Sequence, residues 1–572
     1  MPSSKYPDIN DDKFSKKINR IFKNYKIPKD NKTIDQYCKP RKFKLQLPQE
    51  FLSNFINPKT PYKGVLVYHR IGAGKTCAAV QIAEQWKKVR RIKVVLPASL
   101  KGNFRNELRS FCGGNNYLKP NERKRLAEIQ PSDSEYKNII KKSDERINKY
   151  YDIYSYNKFI EYCANNTMSL EKSLLIIDEV QNMVSETGTY YVELKKIINR
   201  TKDIRTVLLS ATPMFDKPHE LALTMNLLKL PKQMPIGRDF DNMFIKKSIK
   251  GDKITYHPKN MNKFKKYVKG FISYYRGAPP YTFPIMKKRY VKCEMSNFQY
   301  RAYKSVMENE GESITKRRLR EMNVDTLPNN FYIGTRFVSN IVFPNKKTDV
   351  RGYNSFCGKS ITTYLERYSA KFHQIYKRLR RPGKAFVYSG FKEHAGLKSL
   401  VRVLEEFGYK NYVYYGPGPK RFAIWSGDEK HHIKEEIKEV FNRKDNLQGR
   451  KLKVILGSPS IKEGVSLTAV QSVHVLEPYW NDSRLEQVIG RASRYCSHKD
   501  LSEEKRKVMV YIYISVHPKI EETVDQYIKK LSQGKNKLIK SFEHTVREIA
   551  VDCTLNKNAN VYDENDDDID CD

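Results

Sequence analysis

Lys75 and Thr76, the adjacent Asp178 and Glu179, and the spaced set Gln487, Arg491 and Arg494 are the side chains here best suited to phosphoryl transfer. The first two end a glycine-rich turn, His69-Arg-Ile-Gly-Ala-Gly-Lys75-Thr76. A lysine there reaches β- and γ-phosphates, and a hydroxyl beside it binds Mg2+. Gly72, Ala73 and Gly74 let the backbone turn sharply and bring N–H groups near an anion. The start of a following helix adds partial positive charge. His69 stands where the usual pattern has its first glycine, so the match is partial.

Two adjacent carboxylates close the apolar run Leu174-Leu-Ile-Ile-Asp178-Glu179. Burying them is costly without a partner. Asp178 is suited to hold Mg2+, and Glu179 to polarise the attacking water. Gln487, Arg491 and Arg494 stand at i, i+4 and i+7 and share one face if their stretch is helical. Planar, permanently charged guanidiniums suit a phosphoryl group that gains charge during transfer. Each block alone has a plainer reading: a glycine turn, an acidic helix cap, a basic surface helix. Their joint order favours a nucleotide site.

The elements that must position these residues follow from local pattern. Val65 to Tyr68 is a short β-rich run, and Cys77 to Trp86 has helical spacing. Leu174 to Ile177 predicts a strand buried on both faces, as in a parallel sheet. Val207 to Ser210 predicts another, ending in hydroxyls (Ser210, Thr212) able to bond the acidic pair. Ala385 to Tyr388 and Leu452 to Leu456 repeat the theme, so a second parallel α/β domain is expected.

This ordered set resembles the superfamily 2 helicases of the Snf2-like branch. Pro97 to Glu107 looks like that branch's motif Ia, Leu47-Pro-Gln49 like its adenine-reading glutamine site, and Glu463-Gly464 opens another of its blocks. Lys269 to Gly277, Met295 to Gln299, Ile461 to Ser466, Trp480 to Arg484 and Arg547 to Asn556 look more narrowly like helicases of large cytoplasmic DNA viruses. That group includes the poxvirus early transcription factor small subunit and nucleoside triphosphatase I. The resemblance implies an α/β fold of two tandem RecA-like domains, with a mostly helical insertion and a helical C-terminal region. It implies ATP and Mg2+ (held by Thr76 and Asp178), with Gln49, Gly72 to Thr76, Glu463 and Gly464 around the nucleotide. Ser99, Lys101 and Ser458 would lie near nucleic-acid phosphates. It also implies duplex DNA as substrate, an RNA polymerase or second transcription-factor subunit as partner, and a place in the virion or the viral factory of the host cytoplasm. Alternative readings are a promoter-bound subunit using ATP as a release switch, and a packaging protein with a degenerate site.

Composition agrees with a polyanionic partner. The 572 residues carry 107 basic and 64 acidic side chains, net +43. Lys246 to Arg276 and Lys287 to Arg301, basic with interleaved aromatics, are the better-defined candidates. Nine cysteines with no Cys-x-x-Cys pair argue against a zinc site and a disulfide framework, and for reduced thiols. No stretch approaches 18 consecutive apolar residues, which argues against a membrane partner, and the N-terminus is polar and unlike a signal peptide. The expected organisation is a basic N-terminal arm (1–44), flexible or partner-docking, then a first lobe (45–230) and a bridging insertion (231–350). A second lobe (351–518) follows, then a helical extension (519–556) packing back on it and a disordered acidic tail (557–572).

Overall fold

The computed structural model describes all residues except 1–4, 30–31, 40–42, 71, 131–132, 251–252, 312–331, 463–464, 562–568 and 572. The chain forms two compact units. Unit 1 comprises residues 1–33, 39–280 and 537–572, and unit 2 residues 34–38 and 281–536.

Unit 1 is built on strands β1 (Gly64–His69), β2 (Arg91–Leu96), β3 (Tyr151–Ser155), β4 (Ser173–Ile177), β5 (Ile204–Ser210) and β8 (Ile272–Tyr275), in the order β3-β2-β4-β5-β1-β8. All neighbours are parallel. A separate antiparallel hairpin pairs β6 (Ile245–Lys250) with β7 (Lys253–Pro258). Successive side chains of a strand face opposite ways, and the core divides accordingly. Leu66, Tyr68, Leu175, Ile177 and Leu208 pack on one face of the sheet. Val65, Val67, Leu174, Ile176, Val207 and Leu209 pack on the other. A sheet covered on both faces explains why β4 is apolar from Leu174 to Ile177.

Unit 2 orders its strands β11-β12-β13-β10-β14-β15-β9, again all parallel. They are β9 (Ile285–Glu294), β10 (Lys384–Tyr388), β11 (Lys410–Asn411), β12 (Arg421–Trp425), β13 (Val454–Gly457), β14 (Val470–Val475) and β15 (Lys507–Val516). Ala385, Val387, Val454 and Leu456 face one core, while Phe386, Tyr388, Ile455 and Val473 face the other. A buried ion pair ties this unit together. Lys371 Nζ lies 2.7 Å from Asp525 Oδ2 and donates to Asn340 Oδ1 at 2.8 Å. Asn340 in turn donates to Glu477, which accepts from Ser389 Oγ at 3.0 Å.

The borders differ from those expected. The stretch 231–350 supplies an edge strand to each sheet, β8 to the first and β9 to the second. Local pattern does not reveal strand β9, because Met286-Lys-Lys-Arg-Tyr-Val-Lys292 is largely exposed and basic, the device by which edge strands resist further pairing. Residues 537 onward join unit 1 and not the second lobe: Leu538, Phe542 and Val546 are buried in its core, with Phe542 against Phe240 and Phe264. The N-terminal segment is no loose arm. Phe14, Ile18 and Phe22 recur at helical spacing and are buried with Phe51 and Phe55. In the acidic tail, Ile569 is buried. Three cysteine pairs are also joined where free thiols were expected: Cys38–Cys496, Cys77–Cys112 and Cys553–Cys571. Such pairing depends on tertiary approach, which cysteine spacing does not reveal.

Buried histidines give unit 2 a pH signature. His474, in β14, is fully buried between Tyr513 Oη (2.8 Å) and Ser472 Oγ (3.0 Å), and burial pushes its imidazole down to about 3. Unfolded, it titrates near 6.5. Below that pH the unfolded chain takes up a proton that the folded one refuses, so this contribution is full above about 6.5 and lost on acidification. Relative to His474→Gln, the wild type should lose about 3 kcal/mol between about pH 6.5 and pH 4, read from urea midpoints. A difference that does not vary with pH contradicts this.

Candidate nucleotide site

The turn between β1 and the helix Lys75–Trp86 is built as its glycines require. Gly72 and Gly74 have φ of 84° and 73°, the left-handed region that glycine tolerates. A side chain at Gly74 would also collide with Gln49 Nε2. Gln49 is buried, and its amide is engaged. Oε1 accepts from Gln46 N at 2.9 Å, and Nε2 donates to Gly74 O at 3.2 Å. The glutamine expected to read adenine thus also braces the loop backbone. Ala73 is buried, Lys75 and Thr76 are half-buried in the helix's first turn, and Lys75 Nζ donates to His69 O at 3.3 Å.

Asp178 and Glu179 follow β4 at its C-terminal end. Asp178 N donates to Val95 O at 2.9 Å, and Glu179 N donates to Asp178 Oδ1 at 2.9 Å. Glu179 adopts φ 50°, ψ 47°, a conformation that costs energy for a non-glycine residue and tends to gather at working sites. Tyr156 Oη supports the turn, 2.5 Å from Asp178 O and 3.0 Å from Glu179 O. Burial and the neighbouring Glu179 push the Asp178 carboxyl above its usual range, against the pull of Lys75 and the Glu179 N–H. A buried carboxylate next to a second one, with a threonine hydroxyl and a lysine in the same unit, is a donor set that a divalent cation with a triphosphate fits.

The hydroxyls after β5 reach the acidic pair through an intermediary. Ser210 Oγ donates to Gln181 Oε1 at 2.7 Å, and Gln181 Nε2 donates to Glu179 Oε2 at 2.6 Å. Gln181 closes the acidic block in the sequence but has no role there, because an amide two residues after an acidic pair has no chemistry of its own. Ser99, exposed, and Lys101, half-buried, sit in the turn and helix that follow β2.

In unit 2 the helix holding Gln487 spans Asp482–Ile489, and Asn481 caps it by accepting from Arg484 N at 3.1 Å. Arg491 and Arg494 lie beyond its end, so the expected single helical face does not extend to them. After Gly490 the backbone tightens to i→i+3 bonds, Arg491 N to Val488 O and Ala492 N to Ile489 O. Arg491 O accepts from Leu467 N at 2.9 Å, and Arg494 Nη2 donates to Val465 O at 3.3 Å. Both arginines are thereby set against the segment that follows Glu463 and Gly464, which themselves lie outside the described residues. Ser458 is buried, its hydroxyl 3.1 Å from that of Ser460.

Two parallel-sheet units, one carrying a glycine-turn lysine and an Asp-Glu strand end, define the ATPase core of a helicase-type enzyme. An SNF2-related domain matches residues 46–347, and a Helicase conserved C-terminal domain matches 370–496. The chain therefore belongs to the SNF2-related helicases, superfamily 2 ATPases. It is 50% identical over 560 residues, 97% of each chain, to a protein of Acanthamoeba polyphaga mimivirus that carries the name of an ATP-dependent RNA helicase. It is 24% identical over 569 residues to the termination factor NPH-I homolog of African swine fever virus, covering 86% of this chain and 77% of that one. Among solved structures, the Pyrococcus furiosus Hef helicase domain matches at 14% identity with a TM-score of 0.41, over 84% of this chain and 97% of that one. Among the described residues, no helix is long and apolar enough to cross a membrane.

Proposed function

We propose that this chain is an ATP-driven translocase that tracks along duplex DNA during viral transcription. The observation that carries the reading is the buried Asp178 next to the half-buried Glu179, with Lys75 acting on Asp178 and Gln181 joining Glu179 to the hydroxyl of Ser210. Thr76 and Asp178 are the residues that would hold Mg2+, which when bound would help neutralise the charge that develops during transfer. Lys75 binds the β- and γ-phosphates, Glu179 orients and polarises the attacking water, and Gln181 holds Glu179 in place. Gln487, Arg491 and Arg494 act on the charge that develops on the triphosphate during transfer. Gln49 contributes to the adenine side while bracing Gly74. Ser99 and Lys101 contact backbone phosphates, and Ser458 does so once its segment opens.

Support for the transcription role comes from the African swine fever virus relative, which is named as a termination factor. Support for a nucleic-acid track comes from the net charge of +43. Phosphate release measured with duplex DNA, single-stranded DNA and RNA tests the reading. Duplex DNA should stimulate most, and the stimulation should fall steeply with salt. Stimulation by RNA alone, or none by any polymer, contradicts it.

A further inference from the structure

Three features of the sequence lie outside the catalytic account above: His69 in place of a glycine, the Lys269 to Gly277 block, and the Arg547 to Asn556 block. They converge on one buried chain of hydrogen bonds. His69 Nε2 lies 2.9 Å from Ser273 Oγ, and Ser273 Oγ donates to Asp552 Oδ2 at 2.6 Å. Asp552 Oδ1 accepts from Tyr274 N at 2.9 Å. His69 and Ser273 are fully buried, as is Asp552. Their separations, 204 residues for the first bond and 279 for the second, mean that only the folded unit assembles the chain.

Proton counting fixes its polarity. Burial pushes the Asp552 carboxyl up to about 6, so above that pH it is ionised and can only accept the single hydrogen of the serine hydroxyl. Ser273 Oγ must then accept from His69, so the imidazole carries its proton on Nε2. Nδ1 is left as a bare acceptor with no hydrogen-bond partner among the described residues. The ring thus held belongs to the last residue of β1, whose carbonyl receives Lys75 Nζ.

The same two blocks also press on the loop itself. Arg70 N donates to Tyr275 O at 3.1 Å. Ala73 packs in a small cluster with Tyr275 and Ala559, and a side chain at Gly277 would come within 3.2 Å of the Ala73 methyl. The helix Cys553–Asn560, which begins just after Asp552, therefore contributes to the phosphate loop's wall as well as to the chain beneath it.

We propose that Asp552 is a positioning residue of the nucleotide site, acting through Ser273 and His69 to hold the loop carbonyl that places Lys75. The proposal rests on Lys75 serving the triphosphate, as argued above. Its function is to make the C-terminal block part of the ATPase, so that this segment's docking sets the turnover rate.

The test uses the full-length chain with Mg-ATP. In Asp552→Asn the side-chain amide can donate to Ser273, whose hydroxyl then turns toward His69 and drives the imidazole proton to Nδ1. Turnover should fall roughly 10- to 100-fold, the range for disturbed supporting hydrogen bonds, with KM changed far less and the thermal transition still cooperative. His69→Gln, which keeps a donor toward Ser273, should retain near-wild-type turnover, whereas His69→Leu should lose it as Asp552→Asn does. This pair decides the matter even if the Asp552 variant does not fold. Histidine 15N spectra, assigned by the resonance missing in His69→Gln, should show the Nε2–H form in the wild type and the Nδ1–H form in Asp552→Asn. A wild-type Nδ1–H form, or wild-type turnover in both Asp552→Asn and His69→Leu, overturns the proposal. Lys75→Ala separates the two levels. If that variant still hydrolyses ATP normally, the nucleotide-site reading falls and takes this proposal with it. If it is inactive while the Asp552 and His69 variants are normal, only the proposal falls.

Discussion

Glu179→Gln should bind Mg-ATP and DNA about as well as the wild type while releasing phosphate on the order of 10²- to 10⁴-fold more slowly, the usual worth of a general base. The substitution preserves shape. Gln181 Nε2 donates to Glu179 Oε2 at 2.6 Å, and the oxygen of a glutamine amide can accept the same bond. Asp178 keeps its own bonds to Val95 and to the following N–H. What is lost is the charge that polarises water, so the defect should lie in turnover and leave KM nearly unmoved. Stopped phosphate release alongside an equilibrium nucleotide titration checks this. The variant also separates a motor from a promoter-bound subunit that uses ATP only as a release switch. Tracking or promoter opening that persists in Glu179→Gln would exclude the motor.

Where local pattern sufficed, the sequence was informative. Strand β1, the helix after Gly74 and strand β4 each carry their own periodicity, and each is followed or bounded by residues whose chemistry needs that boundary. The alternation of Val65, Leu66, Val67 and Tyr68 between two cores is the strand period made visible. Partners were another matter. Nothing near Asp552 signals that it will meet Ser273 and Tyr274, and nothing near Val551 that its N–H will donate to Ile272 O at 2.8 Å. These bonds bring the C-terminal residues into unit 1, against the expectation that they would cover the second lobe. Edge strands failed for a related reason. Strand β9 pairs on one side only, so its lysines read as a nucleic-acid surface when taken residue by residue. Helix ends were equally opaque: i, i+4 and i+7 spacing from Gln487 holds whether or not the helix continues, and it stops at Ile489.

Arg491→Lys and Arg494→Lys should cost more than either position's charge suggests. An ammonium keeps the charge but loses the planar fork that spans two phosphoryl oxygens. An arginine acting on the transition state is typically worth about 10³ to 10⁵ in rate. The backbone around both is held independently of their side chains: Leu467 N donates to Arg491 O, and Ser497 N donates to Arg494 O at 3.0 Å. Lysine variants should therefore fold normally, with nucleotide affinity set in unit 1 little changed. Single-turnover phosphate release from saturating Mg-ATP on the Arg491→Lys chain, with duplex DNA present, is the most direct measurement. Nucleotide should stay tightly bound while release slows by about 10³; release at the wild-type rate would show that the residues of unit 2 take no part in the chemistry.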